Sequence, residues 1–283
     1  MNNNYILGCI DGASLTTAVC DYAAWLAGKT GAPVKLLHNI EHRPQAPLSD
    51  LSGSLGLGSQ EELLEELIKV EQHRSRLLLE KGKLMLDAAR QRVEAGGVAD
   101  IEVWQRNGSL QETLIEQEQD IRVLVMGVRG EEHRDGQLGA HLETVIRSLH
   151  KPVLVVNKAF STPQKIMLAY DGQEASRKAL EMVVSSPALR DIPCHLVYVG
   201  DDQGAEAILA EASTSLERGA VAHQLVHLPK GRSDEQLCQY QAEQGIDLTV
   251  MGAYSHHPLR GMLLGSFTAK MLQKTQQPLL LLR

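Results

Sequence analysis

The sequence has few cysteines, few aromatic residues and no long apolar run. Its 283 residues include four cysteines, Cys9, Cys20, Cys194 and Cys238, and no C-x-x-C pair, which argues against a zinc knuckle and a thioredoxin-like redox motif. We expect reduced, mostly buried thiols. No apolar run approaches the roughly 20 residues of a membrane-spanning helix, and the N-terminal residues lack the basic and apolar segments of a secretory signal. These absences predict a cytoplasmic protein without a membrane partner.

Positive charge is also in short supply. The chain has 28 Lys and Arg residues against 35 Asp and Glu residues, a net charge of -7, and no segregated basic segment. This balance repels phosphate polymers, so we expect no nucleic-acid partner. A hydrophobic fraction of 43% with 22% charged residues is instead typical of a globular protein that can bury a core.

The motifs of several enzyme classes are missing as well. The sequence contains no H-E-x-x-H, no G-x-S-x-G and no complete Walker motif, so it gives no support for zinc proteases, nucleophile-elbow hydrolases or P-loop enzymes. His223 and His227 are four residues apart, but they fall in a strand-like segment, where that separation is about 13 Å. We therefore predict no metal site there.

What the sequence does contain is a repeat of one domain. Three features return in the same order. The first is an apolar run followed by Asp-Gly: Tyr5–Ile10 with Asp11-Gly12, and again Ile166–Tyr170 with Asp171-Gly172. The second is an apolar run that ends in glycine, at Val123–Gly127 and again at Leu248–Gly252. The third is a glycine thirteen positions before a proline-led apolar run, at Gly139 and Pro152 and again at Gly265 and Pro278. We predict two tandem domains, residues 1–159 and 160–283.

Within each copy, short apolar runs alternate with helix-period segments, which is the pattern of an α/β domain with a doubly wound parallel sheet. Predicted strands lie near 4–10, 33–40, 100–106, 121–127 and 152–157 in the first copy and near 164–170, 193–199, 221–228, 247–252 and 278–283 in the second. Predicted helices of the second copy lie near 174–185, 203–218, 232–244 and 266–275. Because the last strand of each copy is an apolar edge that invites pairing, we expect the two Rossmann-like domains to form an internal pseudo-dimer.

The first copy is longer than the second. Asp11 precedes Gly127 by 116 residues, whereas Asp171 precedes Gly252 by 81, and the extra 35 residues form an insertion near 42–70. Its Pro-, Ser- and Gly-rich part, 43–59, indicates a surface loop or a lid. A long helix is predicted to follow, from about Gln60 to Ala95, with apolar residues at three-to-four spacing: Leu63, Leu64, Leu67, Val70, Leu77, Leu78, Leu84, Met85 and Ala88. We expect this stripe to pack on the sheet or on the other domain.

The loop after the fourth predicted strand of the second copy is the best candidate for a ligand site. Ligands of doubly wound sheets gather at the carboxyl ends of the strands, near the switch point. Residues 252–266 contain several glycines and lead into a helix. The backbone N–H groups of such a loop and the positive end of the helix can hold phosphate oxygens. An ordinary helix start with Ser266 as the capping residue would explain the same residues.

At these residues the chain resembles the universal stress protein family in its tandem, two-domain form. The nucleotide-binding members of that family carry Gly, two residues, Gly, nine residues, Gly and then Ser or Thr. Gly252, Gly265 and Ser266 match this pattern with the same spacing, whereas Ser255 replaces the second glycine.

The resemblance implies that ATP or a related adenine nucleotide, with or without Mg²⁺, is bound mainly by the second copy. The residues that it implies as the binding site are Asp171, Val199, Gly252, Ser255, Gly265, Ser266, Phe267 and Thr268. Asp171 would face the ribose, and the backbone of Val199 would face the adenine edge. Asp171-Gly172-Gln173-Glu174 also spells a capping box, so a purely structural role at a helix start is the alternative for Asp171.

The first copy carries a degenerate version of the loop. Gly127 and Gly130 are followed by eight residues, not nine, before Gly139, and Ala140 replaces the hydroxyl. We expect weaker nucleotide binding there. The resemblance therefore predicts a nucleotide-dependent stress-response protein, with slow ATP hydrolysis at most because no residue that activates water is evident. A stress-response interaction module without nucleotide is the competing hypothesis, and homodimerisation is left open.

Overall fold

The structure is a computed structural model that describes residues 4–41, 57–128, 140–201, 203–253 and 266–283, and it leaves aside the side chains of 57–64 and 140–141. The first half contains β1 (Tyr5–Cys9), α1 (Thr16–Thr30), β2 (Val34–Ile40), α2 (Leu57–Ala95), β3 (Ile101–Asn107), α3 (Leu110–Glu116), β4 (Ile121–Gly127), α4 (Ala140–Ser148) and β5 (Val153–Val156). The second half contains β6 (Ile166–Ala169), α5 (Glu174–Ser185), β7 (Cys194–Gly200), α6 (Ala205–Arg218), β8 (His223–Pro229), α7 (Ser233–Gln244), β9 (Leu248–Gly252), α8 (Ser266–Lys274) and β10 (Leu279–Leu282).

All ten strands belong to one sheet, in the order β3-β2-β1-β4-β5-β10-β9-β6-β7-β8. The described strands pair in parallel within each half and antiparallel at the seam between β5 and β10, where Leu154 lies opposite Leu280. Each half is therefore a doubly wound domain, and the two domains share a continuous sheet. The predicted fold class and the internal pseudo-dimer are confirmed.

Helices cover both faces of the sheet because its central strands are apolar on both sides. All residues of β5 and β10 are buried. Helices α1, α2, α5 and α6 pack on one face, and α3, α4, α7 and α8 pack on the other. Among the described residues, no helix is both long and apolar enough to span a membrane.

The four cysteines lie in or beside these cores as free thiols. Cys20 and Cys194 are buried, and Cys9 and Cys238 are half-buried, in line with the expectation from the sequence. Burial raises the pKa of Cys9, Cys20 and Cys194 to about 12. These three thiols are therefore protonated at neutral pH and poor nucleophiles.

Side chains just after β5 and β10 tie each domain to the other. Asn157 Nδ2 donates hydrogen bonds of 3.0 Å to the carbonyl oxygens of Thr275 and Gln277, which precede β10. At the corresponding place in the second repeat, the Arg283 guanidinium donates to the carbonyl oxygen of Arg147, in the last turn of α4. The seam is thus closed on both sides of its pseudo-twofold axis by hydrogen bonds to backbone carbonyls.

Replacing Asn157 by alanine is expected to lower the free energy of unfolding by about 1–2 kcal/mol, because two hydrogen bonds across the seam are lost. Urea denaturation followed by circular dichroism measures this change. Asn107→Ala is the matched control, since Asn107 is an exposed residue at the end of the outer strand β3. An equal loss for the two variants would contradict the role assigned to Asn157.

The long helix differs from its expected packing. The stripe predicted to be buried includes Val70, Leu77 and Leu84, whose exposed fractions are 60%, 52% and 71%. The face that packs on the sheet instead carries Leu86 and Val93, together with Gly82 and Ala89. The prediction was wrong for Val70, Leu77 and Leu84, whereas Met85 of the same stripe is half-buried against this core. Apolar residues occur on more than one side of this helix, and spacing alone does not say which side meets the sheet.

Candidate functional site

A cleft opens at the carboxyl ends of β6, β7 and β9 in the second domain. Its volume is about 220 Å³. Its walls are Ala169, Tyr170, Asp171, Ala175, Ser176, Val197, Val199, Ser233, Leu237, Met251, Gly252 and Phe267. The first residues of α5, α7 and α8 lie in this lining, so the N-terminal ends of three helices border the cleft. Helix N-termini carry unpaired N–H groups and a partial positive charge, which favours an anionic ligand.

Asp171 stands at the mouth of the cleft and is exposed. Its Oδ1 accepts a hydrogen bond of 3.0 Å from the N–H of Gln173, across Gly172, whose φ of 76° lies in the left-handed region. Gln173 is the N-cap of α5 and makes no side-chain capping bond. The capping-box alternative was therefore wrong in its detail: Asp171 supports the turn before the helix, two residues ahead of the cap.

Gly252 ends β9 and lines the cleft beside the start of α5. A Cβ on Gly252 would lie 2.7 Å from the Cβ of Ala175, 2.9 Å from the Ala175 carbonyl carbon and 3.0 Å from the Ser176 nitrogen. Glycine is required here because the backbone of α5 approaches closely. The sequence suggested that glycine at this position lets a ligand approach the backbone. The structure adds a packing reason for the glycine that the sequence did not reveal.

The three candidate residues at the start of α8 have different surroundings. Ser266 is exposed and is the first residue of the helix. Phe267 is half-buried and forms a wall of the cleft. Thr268 is buried, and its hydroxyl donates to the carbonyl oxygen of Ala253. Its side chain therefore joins α8 to the end of β9.

The other candidates are divided between the cleft and the part of the chain left undescribed. Val199 lies near the end of β7 and lines the cleft. Ser255 and Gly265 lie outside the described residues. The structure thus brings Asp171, Val199, Gly252 and Phe267 together at one cleft, and Ser266 begins the helix that borders it.

Two lining serines were missed by sequence reasoning. Ser233 begins α7. The Ser176 hydroxyl donates to the Gln173 carbonyl at 3.0 Å and accepts from the Asp171 N–H at 3.4 Å. A signal for Ser176 was present in the repeat itself, since Thr16 also follows its Asp-Gly pair by the same number of residues.

An ion pair joins α7 and α8, two of the helices that border the cleft. Lys274, at the end of α8, donates to the buried carboxylate of Asp234 and lies 3.1 Å from Glu235, both in the first turn of α7. The hydrogen bond from Lys274 is the main reason why the pKa of Asp234 is lowered. Tyr170, which lines the cleft, has a raised pKa, mainly because its hydroxyl is buried. The pair holds the N-terminus of α7 beside α8.

Comparison with known proteins places the chain in a family. The Universal stress protein family matches it twice, over residues 3–157 and over residues 163–283. This chain belongs to the universal stress protein family. Universal stress protein Slr1230 from Synechocystis sp. is 38% identical over 285 residues, which cover 98% of this chain and 99% of that protein.

Solved structures agree with the tandem universal stress protein fold. A universal stress protein from Archaeoglobus fulgidus is 19% identical, covers 100% of this chain and 99% of its own, and has a TM-score of 0.75. Another structure, the universal stress protein from Archaeoglobus fulgidus in complex with dAMP, is 17% identical, covers 56% of this chain and 100% of its own, and has a TM-score of 0.37. The first supports the fold, and the second is too distant to support an inference about this chain.

The two universal stress protein domains share the turn but differ around it. In the first domain Asp11 Oδ1 accepts from the Ala13 N–H at 2.9 Å, and the φ of Gly12 is 79°. A Cβ on Gly12 would overlap the side chain of Met85 in α2, whereas a Cβ on Gly172 would lie 3.7 Å from its nearest neighbour, a side-chain carbon of Ile208. The first domain is therefore more crowded beside this turn.

Proposed function

We propose that the second domain of this universal stress protein binds ATP or a related adenine nucleotide in the cleft at β6, β7 and β9, within a cytoplasmic stress-response protein. The observation that carries the proposal is the position of Asp171 at a cleft bordered by three helix N-termini. One carboxylate can accept from two sugar hydroxyls, and helix N-termini can hold phosphates. The cleft thus offers complementary groups for both polar parts of a nucleotide.

The proposal gives roles to several residues in and beside the cleft. The backbone of Val199 faces the adenine edge, and the side chains of Leu237, Met251 and Phe267 supply an apolar wall for the base. We assign the phosphates to Ser266 together with Ser255 and Gly265, the residues that match the family pattern. Thr268 acts through Ala253, since its hydroxyl is already engaged there, and is therefore a positioning residue.

Slow hydrolysis at most is proposed, and the nucleotide would serve as a signal rather than as a substrate. Among the described lining residues, Asp171 is the one carboxylate, and its Oδ1 supports the turn before α5. A single carboxylate is a weak basis for an all-protein Mg²⁺ site, so Mg²⁺ would arrive bound to the phosphates. Fast phosphoryl transfer also needs a residue that orients the attacking water.

Titration of the full chain with ATP is expected to show one tighter site, with the first domain binding about tenfold or more weakly. Ala140 lacks the hydroxyl that Ser266 offers, and one hydrogen bond to a charged group contributes about 1.5–3 kcal/mol. Asn39 occupies in the first domain the strand position that Val199 occupies in the second. Its Nδ2 donates a hydrogen bond of 2.6 Å to the carbonyl oxygen of Gly108. Calorimetry measures the stoichiometry. Two equal sites would contradict the assignment.

Mass spectrometry of ligand released from freshly purified, denatured protein distinguishes this proposal from the interaction-module hypothesis. An adenine nucleotide in about one-to-one amount would support the proposal. Release of no nucleotide, together with no heat of binding in the ATP titration, would favour a module that works without one.

A further inference from the structure

Helix α2 carries an unusual concentration of exposed apolar side chains. Eight large hydrophobic residues of the described chain are exposed, and five of them lie on this helix: Ile68, Val70, Leu77, Leu79 and Leu84. Three of the five recur every seven residues, at Val70, Leu77 and Leu84. Residues at this spacing lie on one side of an α-helix, so these three form one stripe, here called the α2 stripe.

The α2 stripe points away from the body of the first domain. Leu86 is buried against the sheet, and Leu84 is two residues away, which is roughly 200° around the helix. Leu84 accordingly has the largest exposed fraction of the five, 71%. The described residues therefore bury one face of α2 on the sheet and leave the opposite face apolar. Exposed apolar surface of this kind is characteristic of interaction sites.

The charges beside the α2 stripe are divided along the helix. Residues 65–72 contain three glutamates and one lysine, a net charge of -2, whereas residues 73–83 contain four lysines and arginines and one glutamate, a net charge of +3. The acidic residues of the first part include Glu65 and Glu66, and the basic residues of the second include Lys81 and Lys83, all of which are exposed. An identical helix placed antiparallel would set each part against one of opposite charge.

We propose that the α2 stripe is a self-association surface that binds the α2 helix of a second copy of this chain in antiparallel orientation. Val70 of each copy then lies opposite Leu77 of the other, and the turn of Glu65 and Glu66 lies beside that of Lys81 and Lys83. A parallel arrangement would set like charges together, which disfavours it. This twofold contact uses the same patch on both copies, so it closes as a dimer.

Sedimentation velocity of the full chain over a range of concentrations tests the proposal. We expect a reversible dimer that weakens as ionic strength rises from about 0.1 M to about 1 M, where the screening length falls from about 10 Å to about 3 Å. Leu77→Glu should weaken the dimer about tenfold or more, because it sets a carboxylate in the apolar centre of the contact. Leu79→Glu is the matched control, since Leu79 is exposed on the same helix but off the stripe.

Charge reversal tests the antiparallel orientation. Lys81→Glu with Lys83→Glu should weaken the dimer, and adding Glu65→Lys with Glu66→Lys to the same chain should restore it. Circular dichroism checks that each variant keeps its helices. A chain that stays monomeric at all concentrations would overturn the proposal. A dimer that responds equally to Leu77→Glu and Leu79→Glu, or that the fourfold reversal does not restore, would overturn it as well.

Discussion

Replacing Gly252 by alanine is expected to lower the free energy of unfolding by about 2–3 kcal/mol, toward the upper end of what overpacking a filled site costs. The added Cβ would lie within 3.0 Å of the Ser176 nitrogen and closer still to two atoms of Ala175. Two of these three atoms belong to the backbone of α5, so no side-chain rotation relieves the contact. Helix α5 must move away from β9, and its packing on the sheet must loosen.

The control for this prediction is Gly28→Ala, the same chemical change in the last turn of α1. A Cβ on Gly28 would have no neighbour within 4 Å, and alanine is the better helix former. Gly28→Ala should therefore raise the free energy of unfolding by about 0.5–1 kcal/mol. Urea denaturation of both variants measures whether each substitution lowers or raises the free energy of unfolding. A stabilising Gly252→Ala would mean that α5 and β9 are farther apart than the structure shows.

Replacing Asp171 by alanine is expected to weaken ATP binding by about 10- to 100-fold, because hydrogen bonds from the sugar hydroxyls to a carboxylate contribute about 1.5–3 kcal/mol. The variant should also lose about 1 kcal/mol of stability, since Oδ1 no longer accepts from the Gln173 N–H. Titration with a fluorescent ATP analogue measures the first effect, and urea denaturation measures the second.

Two matched variants separate binding by Asp171 from its role in the turn. Asp171→Asn keeps an acceptor for the Gln173 N–H but loses the negative charge, so it should weaken binding at nearly parental stability. Asp11→Ala removes the corresponding acceptor from the turn of the first domain and should cost stability with little effect on the tighter site. Unchanged ATP binding by Asp171→Asn would show that the carboxylate serves the turn alone.

Much of the fold could be predicted from the sequence because the strands of a doubly wound sheet are buried on both faces. Such strands are short, uniformly apolar runs, as in Val153–Val156 and Leu279–Leu282, and the chain around them is not. Their apolar character also predicted the seam, since two apolar edges are stabilised by pairing. Duplication helped further, because each weak signal occurred twice in the same order.

Features that depend on close approach in three dimensions could not be predicted. The reason for glycine at Gly252 is the backbone of Ala175, 77 residues earlier, and nothing in the local sequence indicates that contact. The hydroxyl of Thr268 was assigned to the ligand site by resemblance, yet it bonds to Ala253. Along α2, apolar residues recur at helical spacing on more than one face. The position of β2 and β3 beneath the helix decides which face is buried.

The pairing of β5 with β10 has a consequence for synthesis of the chain. Val156 emerges from the ribosome 123 residues before Leu279, which at about 5–20 residues per second leaves β5 without its neighbour for roughly 6–25 s. During that interval the nascent first domain presents a wholly apolar strand edge, which on a polysome can pair with the same edge of an adjacent chain. Fusing both halves in one polypeptide keeps the correct neighbour tethered nearby, so the covalent linkage favours pairing in cis despite this delay.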